Sequence, residues 1–141
     1  MTRFVLDASV ALCWCFENQA TDYTEGAFEL LAGGAEAHVP FLWPVEMSNA
    51  LVTAERRGQI TPARATALLD EITQWPIYVD REGVDRVFRE TLALARQYRI
   101  TAYDATYLEL AVRKALPLAT VDDSLRKAAR PAGVESVRPF R

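Results

Sequence analysis

Short apolar runs alternate with longer segments of helical period along this chain, and that alternation leaves few ways to fold. Arg3–Leu6 reads as a buried strand and runs at once into an apolar helix over Ser9–Phe16. A second helix, capped by Thr21 or Asp22, runs to about Ala32 and is ended by Gly33-Gly34. A short strand follows over Ala37–Val39, then a helix opened by Pro44 and stopped by Gly58. Thr61-Pro62 starts another helix to about Gln74, before a strand at Ile77–Val79. Val84, Val87, Phe88, Leu92, Ala95 and Tyr98 share one helical face. A helix from about Ala102, a strand over Leu118–Val121, a short helix over Asp122–Arg130 and a last strand over Glu135–Arg138 complete the chain. Strands separated by helices demand crossover connections. The fold class is therefore α/β, a central parallel sheet flanked by helices on both faces. At 141 residues the chain suits a single domain spanning 1–141.

In such a sheet, ligands bind beyond the carboxyl ends of the strands. Asp7 ends the first strand and Asp122 a later one, while Glu46 and Asp104 lie in the first turns of helices whose starts face the same edge. Taken singly, each has a structural explanation. Asp7 and Asp122 can be helix caps, Glu46 can complement a helix dipole, and Thr101-x-x-Asp104 fits a capping box. Taken together, four carboxylates converging on one spot repel, at roughly 4 kcal/mol per pair about 4 Å apart at an effective dielectric near 20. Such a cluster needs raised pKa values or a cation. Magnesium and manganese prefer hard oxygen ligands, and a metal beside phosphate is a hydrolysis site. Asp7→Asn should then abolish activity, and metal-free Asp→Asn variants should be at least as heat-stable as the parent. Ser9, Asn49 and Thr120 stand two or three residues from these acids and suit groups that orient carboxylates or water. Asp123 is a further candidate ligand, with a solvated first-turn acid the favoured explanation.

Composition excludes several alternatives. The lone histidine, His38, rules out a nuclease working through paired histidines, and its expected role is structural. Cys13 and Cys15 are too few for a zinc site and wrongly spaced for a disulfide framework. A net charge of −3 says little about partners, but of sixteen basic residues only Lys114 and Lys127 are lysines. Arginine suits phosphate recognition, although a codon bias explains the excess as well. Arg56, Arg57, Arg96, Arg99, Arg113, Lys114, Arg126, Lys127 and Arg130 are candidate RNA contacts, with solvated helix faces the default. Phe41-Leu42-Trp43 is core or interface. No apolar run reaches membrane-spanning length, and the first residues lack a cleavage site, so the expected location is the cytoplasm, with no membrane partner.

The motifs resemble those of PIN-domain nucleases, most closely VapC toxins of VapBC toxin–antitoxin modules. The matching segments are Val5-Leu6-Asp7-Ala8-Ser9-Val10-Ala11-Leu12, Trp43–Leu51 with its Glu46-x-x-Asn49, Thr101–Ala111 around Asp104, and Leu118–Leu125 around Asp122. They occur in the family's order over nearly the whole chain. The resemblance implies a single PIN-like domain and an Mg2+-dependent endoribonuclease, with Mn2+ a possible substitute. It implies cleavage of structured RNA, transfer or ribosomal, through a metal-activated water held by Asp7, Glu46, Asp104 and Asp122. It also implies a homodimer and inhibition by a cognate VapB-like antitoxin. Cys13 departs from the family, where many relatives carry a basic residue.

Rival readings explain less. An aspartyl-nucleophile phosphatase usually needs a second Asp two residues after the first, where this chain has Ser9. A receiver domain carries its acid pair after the first strand, whereas Asp122-Asp123 comes late. A catalytically silent PIN-like binding module normally lacks one or more of the four acids.

Overall fold

The computed structural model describes residues 2–139; Met1, Phe140 and Arg141, at the ends of the expected domain, lie outside the described residues. Four parallel strands form the sheet: β1 (Arg3–Leu6), β2 (Glu36–Pro40), β3 (Ile77–Asp80) and β4 (Leu118–Ala119). The helices among the described residues are α1 (Ala8–Cys15), α2 (Asp22–Ala32), α3 (Trp43–Arg56), α4 (Pro62–Ile72), α5 (Leu92–Tyr98), α6 (Ala102–Lys114) and α7 (Asp123–Ala129).

The strand order is β3-β2-β1-β4. The chain thus builds outward from β1 through β2 to β3, then crosses back over β1 to add β4. Given this order, crossovers of the usual right hand would put α1–α4 over one face and α5–α6 over the other. The reversal between β1 and β4 is a topological switch point, where the helices leaving adjacent strands diverge and open a crevice. Phe4, Val5 and Leu6 are wholly buried, as a central strand covered on both faces requires. Helix α6 is buried continuously from Ala105 to Ala111 and packs on β1, β2 and β4. Trp43 is buried in the core, and Phe41 and Leu42 are half-buried beside it.

Several local expectations are corrected. The single helix expected across Val84–Tyr98 is a 3-10 turn over Glu82–Arg86, a π-helical turn over Val87–Thr91, and then α5. The π turn shifts the register of the helical face. Phe88 is 89% and Val84 54% exposed, while Thr91 is buried instead. The start of this run is fixed by Asp80, whose Oδ2 accepts the Gly83 N–H at 3.0 Å. A side chain at 83 would put its Cβ 3.0 Å from that oxygen and would have to push the Asp80 carboxylate aside, a crowding that glycine avoids. Strand β4 stops at Ala119 rather than Val121, because Thr120 turns out of the sheet. The last expected strand is a single bridge, Leu118 to Ser136, held by hydrogen bonds from Leu118 N–H to Glu135 O and Val137 N–H to Leu118 O. Helix α3 begins at Trp43, with Pro44 second.

Candidate active site

Asp7 leaves β1 at the switch point, and its N–H donates to Ala119 O of β4 at 3.0 Å. Its carboxylate is buried and does not cap α1. Instead Oδ2 accepts two hydroxyls, Ser9 Oγ at 2.6 Å and Thr120 Oγ1 at 2.7 Å. These hydroxyls also order the opposite wall: Val121 N–H donates to Ser9 Oγ at 3.2 Å, and Asp122 N–H to Thr120 Oγ1 at 3.0 Å. Asp122 therefore lies in the turn after β4 rather than on the strand. It is a true N-cap, its Oδ1 accepting the Leu125 N–H of α7 at 2.8 Å. Asp123 is exposed and pairs with Lys127.

Glu46 comes from the first turn of α3, and its Oε1 accepts the Tyr107 hydroxyl at 2.6 Å. Asp104 comes from the first turn of α6, which Thr101 caps by accepting the Asp104 N–H at 3.1 Å. The reciprocal bond of a capping box forms at Thr21 and Thr24 in α2, not at α6. Among the described residues, no donor offsets the burial of the Asp104 carboxylate. Asn49 is exposed one turn beyond Glu46 and makes no hydrogen bond to it.

The electrostatics couple these groups. Burial raises the Asp7 pKa against its two hydroxyl donors, and Asp122 raises it further. Burial likewise raises Glu46, against the Tyr107 hydrogen bond, with Asp7 and Asp104 adding to the rise. Asp104 is pushed up to about 6 by burial first, then by Asp122 and Asp7. Among the described residues, no Lys, Arg or His contributes to these three shifts. The contrast lies two strands beyond β1, at the end of β3. Asp80 also ends a strand and is buried, but Arg113 donates to it and to Glu109, and after the burial penalty those bonds hold the Asp80 carboxyl below its ordinary range. Arg113 is therefore occupied within the fold and unavailable as an RNA contact.

The donor set at the switch point is all carboxylate and hydroxyl oxygen, which suits a hard divalent cation. Among the described residues, no three His, Cys, Asp or Glu side chains form a ready-made ligand group. Magnesium fits such an open arrangement, because it takes one or two carboxylates and keeps several waters.

Sequence reasoning missed Tyr107, although it stands three residues beyond Asp104 and so on the same helical face. It missed the Asp80–Glu109–Arg113 cluster too, because Asp80 falls one residue past the expected end of its strand. Cys13 and Cys15 are half-buried thiols that donate to Ser9 O and Ala11 O of their own helix. His38 sits in β2 beside Glu36 and Tyr78.

The PIN domain profile matches residues 4–131. A protein of Pyrobaculum aerophilum named Ribonuclease VapC3 is 27% identical over 123 residues, 87% of this chain and 92% of that one. A Ribonuclease VapC3 of Mycobacterium tuberculosis is 34% identical over 91 residues, 64% of each chain. The fold matches the structure of VapBC2 from Rickettsia felis bound to a promoter DNA fragment with a TM-score of 0.68, covering 96% of this chain and 98% of that one at 11% identity. With a profile match spanning β1 through α7, this chain belongs to the PIN domain family.

Proposed function

We propose that this protein is a divalent-metal-dependent endoribonuclease, a toxin of the VapC kind neutralised by a VapB-like antitoxin. The observation that carries the reading is the group of acids Asp7, Glu46, Asp104 and Asp122 at the switch point, where among the described residues no basic side chain offsets the raised carboxyls of the first three. Relatives named ribonuclease support the activity, and the VapBC likeness of fold supports the antitoxin.

Asp7, Asp104 and Asp122 would hold Mg2+, or Mn2+ in its place, and Glu46 would complete the site or hold a second ion. When bound, the cation supplies the positive charge that makes water nucleophilic and offsets charge on the phosphoryl oxygens. Ser9 and Thr120 fix Asp7 Oδ2 and thereby the orientation of that carboxylate. Asn49, exposed beside Glu46, is free to meet substrate. Among the candidate basic contacts, Arg56, Arg57 and Lys114 lie at helix carboxyl ends, at the far side of the sheet from the acids. Arg99 lies in the turn that leads into α6, and Arg126 donates to Thr120 O, so these two are best placed for substrate phosphates. The substrate class we assign is structured RNA, transfer or ribosomal. The protein would work in the cytoplasm as a homodimer; no helix among the described residues is long and apolar enough to cross a membrane.

The test is incubation of total RNA with the purified protein under Mg2+ or Mn2+, under chelator, and with Asp7→Asn. Discrete metal-dependent fragments absent with chelator and with the variant are expected. A folded, antitoxin-free protein that neither cleaves RNA nor binds Mn2+ would overturn the proposal in favour of a binding module.

A further inference from the structure

Tyr107 is 1% exposed, yet its hydroxyl is the meeting point of three elements. It sits on α6, one turn beyond Asp104. Its oxygen accepts the N–H of Ala8, the residue directly after Asp7, at 3.3 Å. Its proton goes to Glu46 Oε1 on α3 at 2.6 Å. The segments that supply Asp7, Glu46 and Asp104 are therefore linked through one oxygen.

We infer that Tyr107 is a positioning residue that holds the Glu46 carboxylate towards Asp7 and Asp104 for cation binding. The inference rests on the metal-dependent reading above. A buried phenol must find an acceptor, and Glu46 is the one it has. The bond to an ionised carboxylate is short and strongly directional, so it selects one rotamer of a flexible side chain. It occupies Oε1, and among the described residues no donor reaches Oε2. A phenol ordinarily keeps its proton up to about pH 10, so Tyr107 is a donor at neutral pH. The Ala8 N–H fixes the other side of the same oxygen. Glu46 is thus registered against the backbone that leaves β1 with Asp7. Tyr107 touches no reacting atom in this arrangement; it acts through Glu46.

The experiment is a Mn2+ titration, by calorimetry or by loss of the free-ion EPR signal, on the full chain. It uses wild type, Tyr107→Phe, Glu46→Ala and the double variant, with the melting temperature of each recorded in chelator. Tyr107→Phe is expected to weaken Mn2+ binding about tenfold, as loss of a partner that orients a ligand does. It should lower kcat for RNA while KM holds. In the Glu46→Ala background the same substitution should change Mn2+ affinity less than about twofold, because the carboxylate it positions is gone. Equal losses of affinity in both backgrounds, or a lower melting temperature with unchanged Mn2+ affinity, would make Tyr107 merely structural and overturn the inference alone. A wild-type protein that binds no Mn2+ would overturn the metal-dependent reading, and this inference with it.

Discussion

Asp7 occupies the position from which an acidic side chain ordinarily caps a helix, yet it gives its carboxylate to Ser9 and Thr120 instead. A capping acid lowers its energy by ionising; Asp7 and Asp104 are both shifted towards the neutral form. The consequence is measurable at Asp104, whose pKa rises from an ordinary 3.8 to about 6 on folding. Between these values the folded state binds more protons than the unfolded one. The group's stabilising contribution is therefore full below 3.8 and is lost as pH rises through about 6. Asp104→Asn removes that loss. In chelator it should melt higher than wild type at pH 7, and the gap should shrink as pH falls from 7 to 5. Thermal melts of the pair across that range test the sign, and the comparison cancels the opposing titration of His38, whose pKa burial lowers. A variant that melts lower at every pH would mean Asp104 serves its helix alone. The four acids stood out as candidates in the sequence because strand ends and helix starts are readable from local pattern, although Asp122 proved to lie in the turn after β4. Tyr107 did not, because its importance depends on a contact with Glu46 sixty-one residues away, which no periodicity encodes.

Two elements carry acids that a strand-end rule treats alike, and their surroundings separate them. Asp122 caps α7, so its structural and functional roles coexist and can be divided by substitution. Asp122→Asn keeps a capping oxygen and should alter metal-free stability by only a few tenths of a kcal/mol, whereas Asp122→Ala should cost about 1 kcal/mol. Both should lose Mn2+ affinity and cleavage. Denaturant melts beside Mn2+ titrations check this, and Asn binding Mn2+ like wild type would leave Asp122 a cap and nothing more. Asp80, at the end of β3, has Arg113 as its counter-charge, shared with Glu109 and Glu82. That cluster ties the end of β3 and the 3-10 turn to α6. Arg113→Met would leave the buried Asp80 carboxylate with no counter-charge and Glu109 with Arg86 alone at 3.8 Å, and should cost about 3–5 kcal/mol in urea unfolding. Cleavage per folded molecule should persist, since the cluster lies outside the candidate site. The same cluster explains why a continuous helix across Val84–Tyr98 was the wrong expectation. Apolar spacing there is helical, but Asp80 and Gly83 set where the run starts, and the π turn resets its face before α5. Tertiary anchors of this kind leave no mark on a hydrophobic period.

The whole molecule is held together at the switch point by segments far apart in sequence: the start of α1, the first turn of α3, the first turn of α6 and the turn between β4 and α7. Strand–helix alternation made the parallel sheet and its carboxyl edge readable in advance. The order β3-β2-β1-β4, which places β1 beside β4 and so Asp7 beside Thr120, was set by long-range pairing that the alternation alone did not specify. This topology has a thermodynamic consequence under the proposed function. An ion held by Asp7, Asp104 and Asp122 bridges the start of the chain to two segments in its last third, and the unfolded chain has no such site. Binding to the folded state alone stabilises it by about 2.7 kcal/mol when free ion is a hundredfold above its dissociation constant. At roughly 2–4 °C per kcal/mol for a domain of about this size, that is an upward shift of about 5–10 °C in melting temperature. Wild type titrated with Mn2+ from a chelated start should show this rise, increasing with the logarithm of ion concentration once the site is filled. Asp7→Asn should show little of it, because that substitution neutralises a bridging ligand while keeping the hydroxyl contacts that shape the turn. Cleavage that needs Mn2+ without any melting shift in wild type would place the ion's binding energy with the RNA rather than the protein, and would assign these acids to a site completed only by substrate.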